Sequence, residues 1–205
     1  MKTVFKKRLK FIILISLIIF TLGCAINDAI EKKLDEARNS FPFDLMIGID
    51  DLSYDYRFNS GDYPKVEGAI SYIAIYGRTS KELATSILHQ LTIYPDSELA
   101  ARDFSTWEDK WFTNDWIPIE ESRFKPNNLE DLYLLKCLPA GSESWGQSCR
   151  FLQLHGNLII LVGTTINEES NLSFAEFDEV LRKLDARLPT ENVPMPPYDY
   201  DSLDK

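Results

Sequence analysis

Few side chains in this sequence have the type and spacing to do chemistry. It holds three cysteines, Cys24, Cys137 and Cys149, and two histidines, His89 and His155. Cys137 and Cys149 bracket the stretch KCLPAGSESWGQSCRF with 11 residues between them. A metal site would need two further ligands, and neither a CxxC nor a nearby histidine supplies them. A redox pair is normally closely spaced. In an oxidising compartment the same two residues read as a disulfide stapling a long-looped hairpin, between the apolar runs LYLL and FLQL; a free or redox-active thiol pair is the alternative. The choice turns on the compartment.

Nucleophilic catalysis needs a nucleophile with a base in reach. His89 falls opposite Ile87 on a segment with helical spacing, and His155 sits beside Gly156 and Asn157 in a predicted turn. Both are expected at the surface, and no catalytic residue is assigned. GSESWG lacks the G-x-S-x-G spacing of a nucleophile elbow. The acidic pairs Asp50-Asp51, Glu120-Glu121 and Glu168-Glu169 have the chemistry for acid/base work or calcium. In DYRFNSGDY, however, Arg57 and Ser60 break the calcium-loop pattern around Asp55, Asn59 and Asp62, so solvated acidic turns are expected and no metal is assigned. No phosphate-binding or dinucleotide glycine fingerprint is present, and no cofactor is expected. What remains is aromatic: Trp107, Trp111, Trp116 and Trp145, with Tyr198 and Tyr200 near the end. Trp145, in a polar glycine-containing loop, either folds back on its own domain or meets a partner. Trp145, Trp107 and Trp111 are therefore the candidate interface.

The compartment is legible at the start of the chain. MKTVFKKRLK carries Lys2, Lys6, Lys7, Arg8 and Lys10 without an acid, and an apolar run of 13 residues follows from Phe11 to Gly23. These are the charged and hydrophobic parts of an export signal. The run is shorter than the ~20 residues that span a bilayer, and Asn27, Asp28 and Glu31 follow at once. It ends in FTLGC, where Gly23 precedes Cys24, and this resembles the lipobox of bacterial lipoproteins. The resemblance implies cleavage before Cys24, a diacylglycerol on its thiol, and, with Ala25 following, passage to the outer membrane in a Gram-negative envelope. Two or three acyl chains hold a protein on a membrane where one is marginal. Removing residues 1–23 takes away five cations and leaves 182 residues, moving the formal net charge from −10 to −15. Such a surface repels phosphate backbones, so nucleic acid is not an expected partner. Lipid holds the chain on its membrane in this reading, with a protein partner or envelope ligand beyond it.

The elements that would position these residues are read from periodicity. Residues 24–41 form a thin charged helical stripe, a tether, and a single globular domain is expected over 42–188. Leu52, Tyr54, Tyr56 and Phe58 alternate with polar residues and predict a strand. NSGDYP reads as a turn and EGAISYIAIYG as a central strand apolar on both faces. TSKELATSILHQLTIYP opens with Thr79-x-x-Glu82 and aligns Leu83, Ile87, Leu88, Leu91 and Tyr94, which predicts an amphipathic helix. A short helix with Trp107 and Trp111 one turn apart follows. WIPIEESRF reads as an edge strand because Pro118 cannot donate to a ladder. LEDLYLLKC, CRFLQLH and NLIILVGTT supply three more strands, the last two joined by a tight turn at HGN. SFAEFDEVLRKLDARLP begins with the capping pattern Ser173-x-x-Glu176 and predicts a helix. The segment from Pro189 is acidic, rich in proline and expected to be disordered or extended, contributing little to the core.

The expected class is α+β: an antiparallel sheet of five to seven strands carrying two main amphipathic helices, preceded by the signal helix. The closing hairpin and helix are similar in topology to the end of the photosystem-associated PsbP and Mog1-like α/β sandwiches. No functional residue carries over from that likeness. The functional expectation is a membrane-anchored envelope lipoprotein with a non-catalytic binding module. A hydrolase or other enzyme using carboxylates or a metal is the alternative.

Overall fold

The structure is a computed structural model whose described residues are 40–52, 56–78, 86–113, 115–119, 124–128, 131–139, 146–167 and 172–196. The expected signal peptide, Cys24, the tether up to residue 39, Trp145, Tyr198 and Tyr200 lie outside them. Pro42–Met195 forms a compact unit. Of the second unit, Met1–Phe41 with Pro196–Lys205, the described residues are Ser40, Phe41 and Pro196.

Seven strands run through the described residues: β1 (Tyr56–Asp62), β2 (Ile70–Arg78), β3 (Ser86–Ile93), β4 (Ile117–Pro118), β5 (Leu132–Cys137), β6 (Gln147–His155) and β7 (Leu158–Ile166). They form one antiparallel sheet in the order β1-β2-β3-β7-β6-β5-β4. Helix α1 (Ser97–Trp111) and helix α2 (Phe174–Asp185) pack on the sheet. The central strand is β7, in which Leu158 to Val162 are fully buried. A run of five large apolar residues with no polar alternation is what a strand covered on both faces requires. Leu152, Ile159 and Leu161 meet Ala100, Phe104 and Trp107 of α1 on one face. Alternation turns Gln153 to the other face, where it reaches Asp185 at the end of α2. The helices thus lie one on each side.

The local signals that held are the ones with a capping or turn chemistry behind them. Ser173 Oγ accepts from Glu176 N while the Glu176 carboxylate accepts from Ser173 N, a reciprocal cap that starts α2. The β6–β7 turn puts Gly156 at φ +54°, a left-handed conformation with little penalty only for glycine. Pro118 stands in a two-residue strand at the sheet's edge.

Four expectations are corrected. The segment expected as a helix over 79–95 forms β3 from Ser86 to Ile93; residues 79–85 lie outside the described set. Its apolar residues satisfy a 3.6 period, but Ile87, Leu91 and Ile93 point to one face while Leu88 points to the other, and both faces are covered. The short helix expected around Trp107 and Trp111 is the longer α1, 15 residues, capped by Asp96 accepting from Leu99 N at 2.8 Å. NSGDYP is not a turn: β1 continues to Asp62 through a bulge between Phe58 and Ser60, and the chain reverses at Glu67-Gly68. The strand expected to be central, β2, lies next to the edge strand β1.

Candidate functional site

Three strands and one helix end converge on a cleft beside the C-terminus of α1. Ser86 and Leu88 of β3, Gly163 and Thr165 of β7, and Ser148 and Arg150 of β6 line it, with Trp111 and Trp116 as its wall. Register explains the convergence, because Leu88 faces Gly163 and Gly163 faces Arg150 across the ladder. The cleft holds about 180 Å³.

Arg150 is its central feature. The guanidinium carbon lies 4.3 Å from the Trp116 ring centroid and 4.9 Å from that of Trp111, so its charge rests against two indole rings. Nη1 donates to Trp111 O at 2.6 Å, capping the last turn of α1. Among the described residues no carboxylate lies within ion-pair distance of Arg150, although the chain carries ten more acidic than basic residues. Burial alone lowers its pKa from the ordinary arginine value, as expected for a cation removed from water without a counter-charge. An unpaired, half-desolvated cation is a standing cost. Guanidinium offers five donors in a planar fork, and the Trp111 carbonyl engages one of its nitrogens.

Gly163 forms the floor. It interrupts the apolar run of β7, and a glycine inside a strand marks a place where another group comes close to the backbone. A Cβ there would sit 3.7 Å from Arg150 Cγ and 3.9 Å from Leu88 Cβ, an ordinary contact distance. The fold therefore tolerates a side chain at this position; what glycine leaves is space in the cleft.

The cysteines fix the strand that presents Arg150. Cys137 and Cys149 face one another across β5 and β6, their Cα atoms 4.1 Å apart, and are joined in a disulfide buried from solvent. Leu138 N donates to Ser148 O at 2.9 Å and Gln147 Nε2 to Leu138 O at 2.8 Å, extending the staple past the strand ends. Arg150 is the next residue after the bridge.

The tryptophans divide. Trp107, expected at an interface, is buried, and its Nε1 donates to Tyr94 Oη at 3.0 Å; that hydroxyl's pKa is raised to about 12, chiefly by burial. Trp116 is likewise buried, with Phe112 edge-on at 5.6 Å. Trp111 is the candidate that borders an opening. Its Nε1 is buried without a hydrogen-bond partner among the described residues.

Both histidines depart from the expected surface placement. His89 is fully buried on β3 and accepts from Ile47 N at Nδ1, 2.9 Å away, while Tyr76 Oη donates to Ile47 O. Burial, with a smaller push from Arg187, lowers its pKa to about 3. It is a neutral structural group. His155 lies at the other end of the sheet, 2.7 Å from Asp131 Oδ2 through Nδ1 and 2.6 Å from Pro189 O through Nε2. With an acceptor against each ring nitrogen, neither is left to take a proton from a nucleophile. Asp131 also accepts from Asn128 and Gln153. Asn157, expected only as a turn residue, makes three bonds to two other segments: Nδ2 donates to Tyr94 O and Val193 O, and Oδ1 accepts from Val193 N, all within 2.8 Å. Residues 189–195 are thus an extended strap tied to the β6–β7 turn, none of them buried.

Of the acidic candidates, Asp51 accepts from Gly48 N and pairs with Arg187 at 2.8 Å, and Asp62 accepts from Tyr63 N. Glu120, Glu121, Glu168, Glu169 and Asp55 lie outside the described residues. Among the described residues no group of three or more acidic, cysteine or histidine side chains is placed to hold a metal, and no helix is long and apolar enough to cross a membrane.

No known family's profile matches the chain, and no curated protein sequence matches it. Among solved structures, the extracellular domain of PknH from Mycobacterium tuberculosis is similar in fold over 70% of this chain and 94% of that one, at 10% sequence identity and a TM-score of 0.46.

Proposed function

We propose that this chain is an envelope lipoprotein, held on its membrane by acyl chains at Cys24, whose globular unit binds a ligand in the Arg150 cleft rather than catalysing a reaction. One observation carries the binding reading: a guanidinium resting against two indoles, with no acid against it among the described residues, in a glycine-floored cleft. A structural arginine in so acidic a chain would have ample choice of carboxylates. The hydrolase alternative finds less support, since both histidines are engaged in the fold.

A broad small-molecule screen by thermal shift on the wild type and on Gly163→Ala tests the reading. A ligand that stabilises the wild type saturably and loses that effect in the variant is the expected outcome. Turnover of any compound, abolished by a single Asp→Asn or Glu→Gln change, would replace the binding module with an enzyme. For the anchor, Cys24→Ser should abolish metabolic labelling by a fatty acid, because serine offers no thiolate to alkylate. Labelling that persists in the variant would refute the assignment of Cys24.

A further inference from the structure

The shape and charge of the cleft restrict what can enter it. This step rests on the binding-module reading and names the ligand chemistry. Both indoles lie within cation–π distance of the guanidinium, and its N–H donors point outward in its own plane. A planar acceptor with two oxygens matches that fork. The charge balance points the same way. Arg150 is the one charged side chain among the described lining residues, with Lys110 Nζ 5.5 Å from the centroid of the Trp111 ring, and Trp111, whose carbonyl Arg150 holds, is the last residue of α1, the helix end at which the dipole is negative. A dianion at this place would be opposed by that dipole more strongly than a monoanion. Sites for phosphate typically recruit helix N-termini, and the helix end here has the opposite sign. Beyond the fork, Leu88 and Leu161 offer apolar wall, Ser86, Ser148 and Thr165 offer hydroxyls, and Gly163 leaves the floor open. A volume of about 180 Å³ in a cleft open to solvent admits a carboxylate with a small substituent.

We propose that the Arg150 cleft takes a single carboxylate on a compact substituent, the chemistry shared by a free short-chain organic acid and the carboxyl terminus of a short peptide. The group lies in the plane of the guanidinium and accepts from its free N–H donors, while its substituent rests on Leu88, Leu161 and the bare backbone at Gly163.

The test uses the full chain in detergent micelles and tryptophan fluorescence, which Trp111 and Trp116 report. Propionate stands for the free acid, N-acetylalanine for a peptide terminus, N-acetylalaninamide for the same shape without charge, and inorganic phosphate for the dianion. At least one of the two acids should bind saturably, with the amide weaker by about tenfold or more, the loss expected when a charge-assisted pair is removed. The tighter of the two acids identifies the source. Gly163→Ala, which the backbone accommodates, should weaken that acid by about tenfold or more, and Arg150→Lys likewise, because lysine keeps the charge but not the fork. Equal affinity for acid and amide, tighter binding of phosphate than of either acid, or an unchanged affinity in Gly163→Ala would each overturn the carboxylate site. With equal affinities and a Gly163→Ala loss, the cleft remains a binding site for a neutral ligand and only the ligand class falls. If none of the four probes binds, the carboxylate proposal is overturned, and the broad screen with Gly163→Ala decides the binding-module reading separately.

Discussion

The two ends of strands β3, β6 and β7 carry similar polar content and treat it in opposite ways. At the end where β6 meets β7, the polar groups are largely answered: Asp131 accepts from His155, Gln153 and Asn128, and Asn157 holds Tyr94 and both backbone groups of Val193, with Gln153 Oε1 the exception, buried without a partner among the described residues. At the other end Arg150 has a carbonyl and two aromatic faces but no carboxylate among the described residues. Five residues separate His155 from Arg150 along one strand, about 17 Å. A saturated network specifies and stabilises a fold. An unsaturated one costs stability and is kept where something else completes it. The difference separates an end whose polar groups are largely answered within the fold from one whose cation is not paired with an acid among the described residues.

Ending the chain after Leu188 should produce the largest effect. It deprives His155 and Asn157 of three hydrogen bonds at a part-buried site, which should cost about 3–4 kcal/mol at roughly 1 kcal/mol or more apiece. Urea unfolding measures it, and affinity at the cleft should stay within about twofold because the two ends do not share contacts. A midpoint equal to that of the full chain would show that the strap adds nothing.

His89 supplies the next effect and a sign. Its pKa falls from 6.5 unfolded to about 3 folded. The unfolded chain therefore binds a proton below pH 6.5 that the folded chain refuses. Its contribution to stability is intact above pH 6.5 and is lost as pH falls toward 3, at up to about 1.4 kcal/mol per pH unit. His89→Asn retains an acceptor for Ile47 N without the titration, so it should flatten the difference in unfolding free energy between pH 7 and pH 5. Equal pH dependence in variant and wild type would remove His89 from that role.

Arg150→Met should have the smallest effect on stability, within about 1 kcal/mol, because the methionine keeps the stem packed against the indoles while a desolvated charge is relieved. Its circular dichroism melt should nearly overlay that of the wild type. A loss as large as that of the truncated chain would make Arg150 a structural cap of α1 and erase the contrast between the ends.

The sequence was most readable where one local interaction decides the outcome. The Ser173/Glu176 cap, the HGN turn, the edge position of Pro118 and the Cys137–Cys149 pair are each explained by chemistry within a few residues or by a compartment. The class of fold, α+β on an antiparallel sheet with two helices, followed from those pieces. β3 was misread because burial on both faces erases the period of two, and its apolar residues then also fit a helix. His89 in its middle suggested solvent, whereas Ile47 N answers it in the core, beside Gln90, which donates to Ser71 Oγ. The cleft was hidden for a different reason. Arg150 stands in no motif, and the tryptophans that frame it lie 34 and 39 positions earlier, so only the sheet brings them together. Gly163 did leave a trace: a lone glycine inside NLIILVGTT is a signal that periodicity passes over.

The disulfide has a consequence for the chain as a covalent object. Any single peptide bond cut between Cys137 and Cys149 would leave the two pieces linked, one carrying α1, Trp111 and Trp116, the other carrying Arg150 and Gly163. A protease acting on that loop would convert one chain into two without separating the wall of the cleft from its floor. Release of either half would require a reductant as well as a cut.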